Sequence, residues 1–149
     1  MNLKVALCCL VSIVSAITQS PLDQRTLDFK VLDNGLQVLF ITDPDVNNSA
    51  AAMRVNVGSS QDPKDFYGLA HFLEHMLFIG SEAYPEVDAL QHYVAQHGGM
   101  TNAFTAQDRT QYYFNVNSEH FERSADIFTE FFISPTLDPE YIDREKHAV

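Results

Sequence analysis

The most constraining feature of this 149-residue chain is a short stretch, residues 68–78, in which apolar and polar side chains recur with the period of a helix. At about 100° per residue, five apolar residues fall on one side: Leu69, Phe72, Leu73, Met76 and Leu77. We expect that side to face the hydrophobic core. The opposite side carries residues stacked one turn apart: His71, Glu74, His75 and Phe78. The stretch therefore predicts one amphipathic helix whose polar face lies outside the core.

Two imidazoles one turn apart can share a small cation, and a carboxylate lies beside them. Zinc accepts neutral imidazole nitrogens at about 2.0–2.1 Å, and a catalytic zinc keeps one position for water. The metal lowers the pKa of that water toward about 7, and Glu74 can carry its proton to a leaving amine. The order His71-x-x-Glu74-His75 is a signature of zinc-dependent hydrolases. The alternative is a chance pattern on a solvated helix face.

The first 16 residues have the composition of a secretory signal peptide. Lys4 precedes the apolar run Val5–Val14, and Val14-Ser15-Ala16 resembles a cleavage site. The run is too short to span a membrane and no long apolar run follows, so we expect no stable membrane insertion. We expect a secreted or secretory-pathway protein whose mature part, residues 17–149, is an incomplete peptidase domain. A buried N-terminal helix or an uncleaved anchor is the alternative.

The charge balance bears on possible partners. Without Lys4, 8 basic residues face 20 acidic ones, a net charge of −12. Such a surface disfavours binding to nucleic acid or to an anionic membrane. It suits basic peptides, although it equally serves solubility. Both cysteines, Cys8 and Cys9, lie in the N-terminal segment, so the mature protein would form no disulfide.

Hydrophobic periodicity and turn residues outline the fold. Strands are expected at residues 27–32, 36–42, 50–57, 100–105 and 110–116. Two helices are expected at residues 68–78 and 86–96. A third should start at the N-cap Ser118 and end at the break Ser134-Pro135. A fourth should start at the N-cap Asp138 and run to the end of the chain. Strands joined as hairpins and accompanied by helices predict an α+β fold, an antiparallel-rich sheet with helices packed on one face.

Several motifs, taken in order, resemble the pitrilysin/insulinase family of metalloendopeptidases, nearest its insulin-degrading-enzyme and nardilysin branch. They cover almost all of residues 17–149: Gly68 to Phe78, Gly80, Tyr84-Pro85, Gly98-Gly99, Asn102-Ala103-Phe104-Thr105, Tyr112-Tyr113-Phe114, Asp143-Arg144-Glu145 and Ala148-Val149. The resemblance implies the N-terminal part of a pitrilysin-type catalytic domain. It also implies a C-terminal remainder of the parent protein, because members of this branch are much longer.

The resemblance implies a zinc endopeptidase that hydrolyses peptides or oligopeptides with a metal-activated water. His71 and His75 would bind Zn²⁺, and Glu74 would be the general base. A third ligand, a glutamate, is expected seven places beyond Glu145, which is three positions past Val149. Glu145 itself matches an acidic position next to the ligands, and its alternative is a solvated charge on a helix face.

The resemblance also suggests how a peptide substrate binds. Asn102, Ala103 and Phe104 match the family's edge strand, on which an extended peptide adds a strand by main-chain pairing. Phe78, Phe104 and Tyr113 would line an apolar pocket near the metal, and simple core packing is the alternative for these aromatic residues.

Two other functions remain open at this point. The chain could be a non-catalytic family member, or an inactive fragment, that acts as a binding or assembly partner, because the third ligand lies outside it. It could also be an acidic domain in which the His71-x-x-Glu74-His75 pattern is incidental.

Overall fold

The computed structural model of the chain describes residue 20 and residues 22–147. These residues divide into two compact units, one before and one after the boundary between Val46 and Asn47. The predicted cleavage site after Ala16 lies outside the described residues.

The first unit contains an antiparallel hairpin of strands β1 (Thr26–Val31) and β2 (Gln37–Thr42). The predicted turn at residues 33–35 connects them. Gly35 takes a positive φ of 87°, and the Asn34 carboxamide accepts a hydrogen bond of 3.0 Å from the Leu36 N–H. This is the local chemistry that makes Asn-Gly a strong hairpin signal.

The second unit is built on a three-stranded antiparallel sheet in the order β3-β5-β4. Its strands are β3 (Asn48–Val55), β4 (Met100–Thr105) and β5 (Thr110–Asn117). The hairpin register of β4 and β5 pairs Thr105 with Thr110 and Ala103 with Tyr112. In this sheet, β4 is therefore an edge strand with one side of its main chain unpaired.

Four helices accompany this sheet in the described part of the chain: α1 (Leu69–Met76), α2 (Ala89–Gln96), α3 (Phe121–Ile133) and α4 (Pro139–Lys146). A 3₁₀ turn, Leu77–Ile79, extends α1 as far as Gly80. At the start of α4, the Asp138 carboxylate accepts a hydrogen bond of 2.9 Å from the Glu140 N–H, as expected of an N-cap. Helix α4 is described from Pro139 to Lys146, and the last two residues of the helix predicted to run to Val149 lie outside the described residues.

The hydrophobic core lies between one face of the sheet and the helices. Alternate residues of β5 are buried, and the Phe114 and Tyr112 rings pack against Phe128 and Phe132 of α3, each pair with centroids 5.2 Å apart. Leu90 and Val94 of α2 belong to the same core. This arrangement confirms the predicted α+β fold with helices packed on one face of an antiparallel sheet.

The expected orientation of α1 was partly wrong. Met76 and Leu77 are buried, but Leu69 and Leu73 are each 45% exposed, whereas Glu74 is only 6% exposed. The polar side of α1 contacts β4 and α4, so these elements cover it and part of the apolar side stays open. Hydrophobic periodicity predicted the helix but not which of its sides would be covered.

In the described residues, no helix combines the length and the apolar composition that crossing a membrane requires.

Candidate active site

The start of α1 is held by a carboxylate from the preceding loop. Asp62 accepts hydrogen bonds from the N–H groups of Gly68, at 2.8 Å, and Ala70, at 2.9 Å. Gly68 has a φ of 89°, in the left-handed region that glycine tolerates best. Two of the N–H groups that a helix start leaves unpaired are thereby satisfied. This places the first turn, which carries His71, in a defined position.

His71 and His75 project from the same side of α1. Their ring centroids are 4.9 Å apart and the rings are nearly perpendicular, at 80°. Both side chains are half-buried. Imidazoles one turn apart in this arrangement can offer one nitrogen each to a single ion.

Glu145 of α4 contacts the second of these histidines. Its Oε2 lies 2.9 Å from His75 Nδ1, and its Oε1 accepts a hydrogen bond of 2.7 Å from Arg144 Nε. Burial acts to raise the pKa of Glu145, but the hydrogen bonds from His75 and Arg144 outweigh it, so the pKa lies below its ordinary value. An ionised Glu145 only accepts, so His75 Nδ1 carries a proton and Nε2 is the ring nitrogen that could serve as a metal ligand.

The donor set fits part of a zinc site. Two imidazoles, one of them oriented by a carboxylate, are ligands that zinc commonly uses. Across residue 20 and residues 22–147, no three His, Cys, Asp or Glu side chains are grouped so that they could hold a metal ion. The described residues therefore supply two ligand positions and not a complete site.

Glu74 is buried beside these histidines and is held by a hydroxyl group. Thr105 Oγ1 donates a hydrogen bond of 2.5 Å to Glu74 Oε2. Burial, with a smaller contribution from the Glu74 charge, raises the pKa of Tyr112. Tyr112 therefore stays protonated at neutral pH and adds no second negative charge next to Glu74.

A cavity of about 330 Å³ opens beside Glu74 and His75. Helix α1 and its extension, the residues around the start of α2, strand β4 and helix α4 all contribute to its wall: Glu74, His75, Phe78, Ile79, Asp88, Gln91, Thr101, Asn102, Ala103, Arg144 and Glu145. A carboxylate, an imidazole and an edge strand thus line one space.

Two of the residues predicted to line an apolar pocket lie elsewhere. Phe78 lines the cavity, but Phe104 and Tyr113 lie on the other face of the sheet, because side chains alternate along a strand and the buried face carries Ala103 and Tyr112. Phe104 is instead covered by Arg109, whose guanidinium carbon lies 5.7 Å from the ring centroid. Of the three aromatic residues predicted to line an apolar pocket, the described cavity brings in Phe78 and not Phe104 or Tyr113.

Sequence reasoning missed several residues that the structure brings to the cavity. Arg144 binds Glu145, Thr105 binds Glu74, and Asp88 lines the cavity with a φ of 58°. Thr105 and Arg144 stand in motifs that carried the family resemblance but were assigned no role, and Asp88 stands in none of those motifs. The alternation of side chains along β4 could have placed Thr105 on the buried face of the sheet. Only the packing of α1 against β4 brings Thr105 to Glu74.

Comparison with known proteins identifies relatives of this chain. An Arabidopsis thaliana protein named insulin-degrading enzyme-like 1, peroxisomal, is 50% identical over 127 residues, which are 85% of this chain and 13% of that protein. Human insulin-degrading enzyme is 44% identical over 133 residues, 89% of this chain and 13% of the enzyme. The crystal structure of pitrilysin superposes with a TM-score of 0.85 at 41% identity and covers 89% of this chain and 14% of that chain. The chain thus spans about 13% of the length of these curated relatives.

These relatives correct the predicted location. A secreted protein was expected from residues 1–16, but a relative with 50% identity is described as peroxisomal, and peroxisomes lie off the secretory route. The prediction of secretion was therefore wrong. It rested on one lysine before a short apolar run and on the small residues Val14-Ser15-Ala16, a composition that is not restricted to exported proteins.

A sequence model of the family described as "Insulinase (Peptidase family M16)" matches residues 37–149. That range contains the three-stranded sheet and its four helices, the cavity lined by Glu74 and His75, and His71. The match agrees with the motifs that first suggested the relationship and with the pitrilysin superposition. On these grounds the chain belongs to the insulinase family, peptidase family M16.

Proposed function

We propose that this chain is the metal-binding part of a zinc-dependent endopeptidase that hydrolyses peptides. The single observation that carries the proposal is the convergence on α1 of two adjacent imidazoles and a buried carboxylate, beside a cavity bordered by an edge strand. Membership of a peptidase family supports the same reaction class.

His71 and His75 would hold the zinc ion, and the proposal assigns the third ligand to a glutamate beyond Val149. Bound zinc would supply Lewis acidity, which polarises a carbonyl group and lowers the pKa of water. Glu145 accepts from His75 Nδ1 at 2.9 Å, so it directs the Nε2 lone pair of His75 outward as a ligand.

Strand β4 would bind the substrate. Its outer main-chain groups are unpaired in the described sheet, and an extended peptide can pair with them as an added strand. Asn102, Ala103 and Phe104 would contribute main-chain hydrogen bonds, while Phe78 would contact a substrate side chain in the cavity. A peptide lying along β4 passes the opening where Glu74 is located.

Glu74 would be the general base. Its carboxylate would take a proton from the attacking water and deliver it to the nitrogen of the leaving amine. Glu74 lines the cavity next to His75. The attacking water and the leaving amine would both lie in this cavity, within reach of the Glu74 carboxylate.

The proposal is tested by removing the base without changing its shape. In the full-length protein, we expect Glu74→Gln to lower kcat for a fluorogenic peptide by about 10²–10⁴-fold, the usual contribution of a general base. Chelation of zinc should abolish the remaining turnover. Glu122→Gln, which changes an exposed glutamate of α3, is the matched control and should retain activity. Full turnover in Glu74→Gln would refute the proposal.

A second candidate is a non-catalytic role as a binding or assembly partner. It is favoured by one observation, namely that the described residues gather two imidazoles but no third metal ligand. Zinc titration of the 149-residue chain tests this candidate, because two imidazoles alone bind zinc weakly, and tight one-to-one binding would count against it. Weak binding by the chain together with an inactive full-length protein would favour the second candidate.

A further inference from the structure

Among the described residues, the Glu74 carboxylate has one hydrogen-bond partner, the side-chain hydroxyl of Thr105. Thr105 is the last residue of β4, and its Oγ1 lies 2.5 Å from Glu74 Oε2. No other protein group in the described residues bonds to this carboxylate.

The direction of this hydrogen bond follows from the neighbouring hydroxyl. Thr110 is the cross-strand partner of Thr105, and its Oγ1 donates to the Val57 carbonyl oxygen at 2.9 Å. A hydroxyl has one proton, so Thr110 can only accept from Thr105, across 3.4 Å. The contact to Glu74 is much shorter, and a carboxylate is the stronger acceptor. Thr105 therefore donates to Glu74.

The other oxygen of Glu74 is open. No buried side-chain nitrogen or oxygen in the part of the chain that the structure describes lacks a hydrogen-bond partner. Glu74 Oε1 has no hydrogen-bond partner among the described residues, so it must be accessible, and we infer that it faces the cavity that Glu74 lines. The two oxygens therefore have different surroundings, one bonded to the sheet and one facing the space that a substrate would occupy.

Without Thr105, little would hold the Glu74 carboxylate in one orientation. The terminal torsion of a glutamate side chain has a broad, roughly two-fold profile, so the carboxylate plane turns easily. Threonine is stiff at χ1 because it is branched at Cβ, and Thr105 belongs to a hydrogen-bonded strand. It can hold one oxygen in place with little freedom of its own.

We propose that Thr105 is a positioning residue for the general base: by binding Glu74 Oε2, it leaves Oε1 alone to exchange a proton with water and the leaving amine. This inference rests on the proposed function. The same strand would then hold both the general base and the substrate. Strand β4 carries Thr105 at its end and the proposed peptide-binding residues Asn102 to Phe104 just before it. A rigid common support is what positioning within about 0.5 Å requires.

The test removes the hydroxyl and keeps the shape. In the full-length protein, we expect Thr105→Val to lower kcat by about 10- to 100-fold, the range that small misplacements of catalytic groups produce. KM should stay within about twofold, because the substrate contacts of β4 are main-chain groups. Thr105→Ser, which restores the hydroxyl, should recover most of kcat. Zinc affinity, measured by competition with a chelator, should be unchanged in both variants.

A matched control removes another threonine hydroxyl that bonds away from the cavity. Thr136 Oγ1 donates to the Gly80 carbonyl oxygen at 3.1 Å, and Thr136→Val should leave kcat unchanged. An unchanged kcat in Thr105→Val, or a failure of Thr105→Ser to recover it, would overturn the inference. If Thr105→Val does not fold, Thr105→Ala replaces it, with the same expected loss and the same rescue.

Crystal structures separate this inference from the proposed function. The full-length wild type should show the contact between Thr105 and Glu74, and the valine variant should show the Glu74 carboxylate turned out of that plane. An unturned carboxylate would overturn the positioning role even in an active enzyme. An inactive wild type with the expected turn would instead refute the proposed function and leave the positioning contact established.

Discussion

Glu145 joins two groups through one carboxylate, and each of its oxygens has a different partner. One oxygen contacts His75 Nδ1 and the other accepts from Arg144, which places a negative charge next to a ring that would bind a cation. A carboxylate in this position fixes the tautomer and the orientation of the ring and raises its basicity as a ligand. We therefore expect metal affinity at the proposed site to depend on Glu145 even though it would not be a ligand.

We predict that Glu145→Gln weakens zinc binding by about 10- to 100-fold, as is typical when such a partner of a ligand is changed. The amide keeps the size of the side chain but loses the charge that pairs with Nδ1. Chelator competition on the full-length protein measures the effect. Glu140→Gln, on an exposed position of the same helix, is the control, and an unchanged affinity in Glu145→Gln would contradict the prediction.

At the scale of elements, periodicity predicted the strands, the helices and the α+β class from local patterns. It could not predict the environment of α1. Leu69 and Leu73 have the spacing of core residues, yet they stay half exposed, while Glu74 is buried. The reason is a long-range contact: the burial of Glu74 depends on Thr105, which lies 31 positions away. The spacing of His71 and His75 could be recognised in the sequence. The positions of Phe104 and Tyr113 could not, because they depend on which face of the sheet the helices cover.

We predict that Asp62→Ala destabilises the domain by about 1 kcal/mol, the usual effect of losing a helix cap. Asp62 accepts from the Gly68 and Ala70 N–H groups, and alanine leaves both to water. Urea denaturation of the two proteins measures the change. Asp65→Ala, at an exposed position in the same loop, should leave the unfolding midpoint unchanged; equal effects of the two substitutions would show that the cap contributes nothing.

At the scale of the whole second unit, one surface is unusually apolar. Phe66, Tyr67, Leu69 and Phe72 form a groove of about 320 Å³ with Ile142 of α4, and Tyr67 is 82% exposed. Large exposed aromatic and aliphatic side chains grouped in this way favour association and dye binding.

We predict that the 149-residue chain binds a hydrophobic dye such as ANS and that Leu69→Lys reduces the fluorescence at least twofold. Because Leu69 is already half exposed, stability should change by no more than about 0.5 kcal/mol. Ile133→Lys is the control, since Ile133 is exposed at the end of α3 but does not line the groove. Equal loss of fluorescence in both variants would locate the dye elsewhere.

The contact between His75 and Glu145 spans 70 positions of the chain. During translation, the helix that carries both histidines emerges from the ribosome well before residue 145 does. Until then, His75 has no carboxylate to orient its ring. The order of synthesis therefore leaves the His75 ring without this hydrogen bond until α4 has been made.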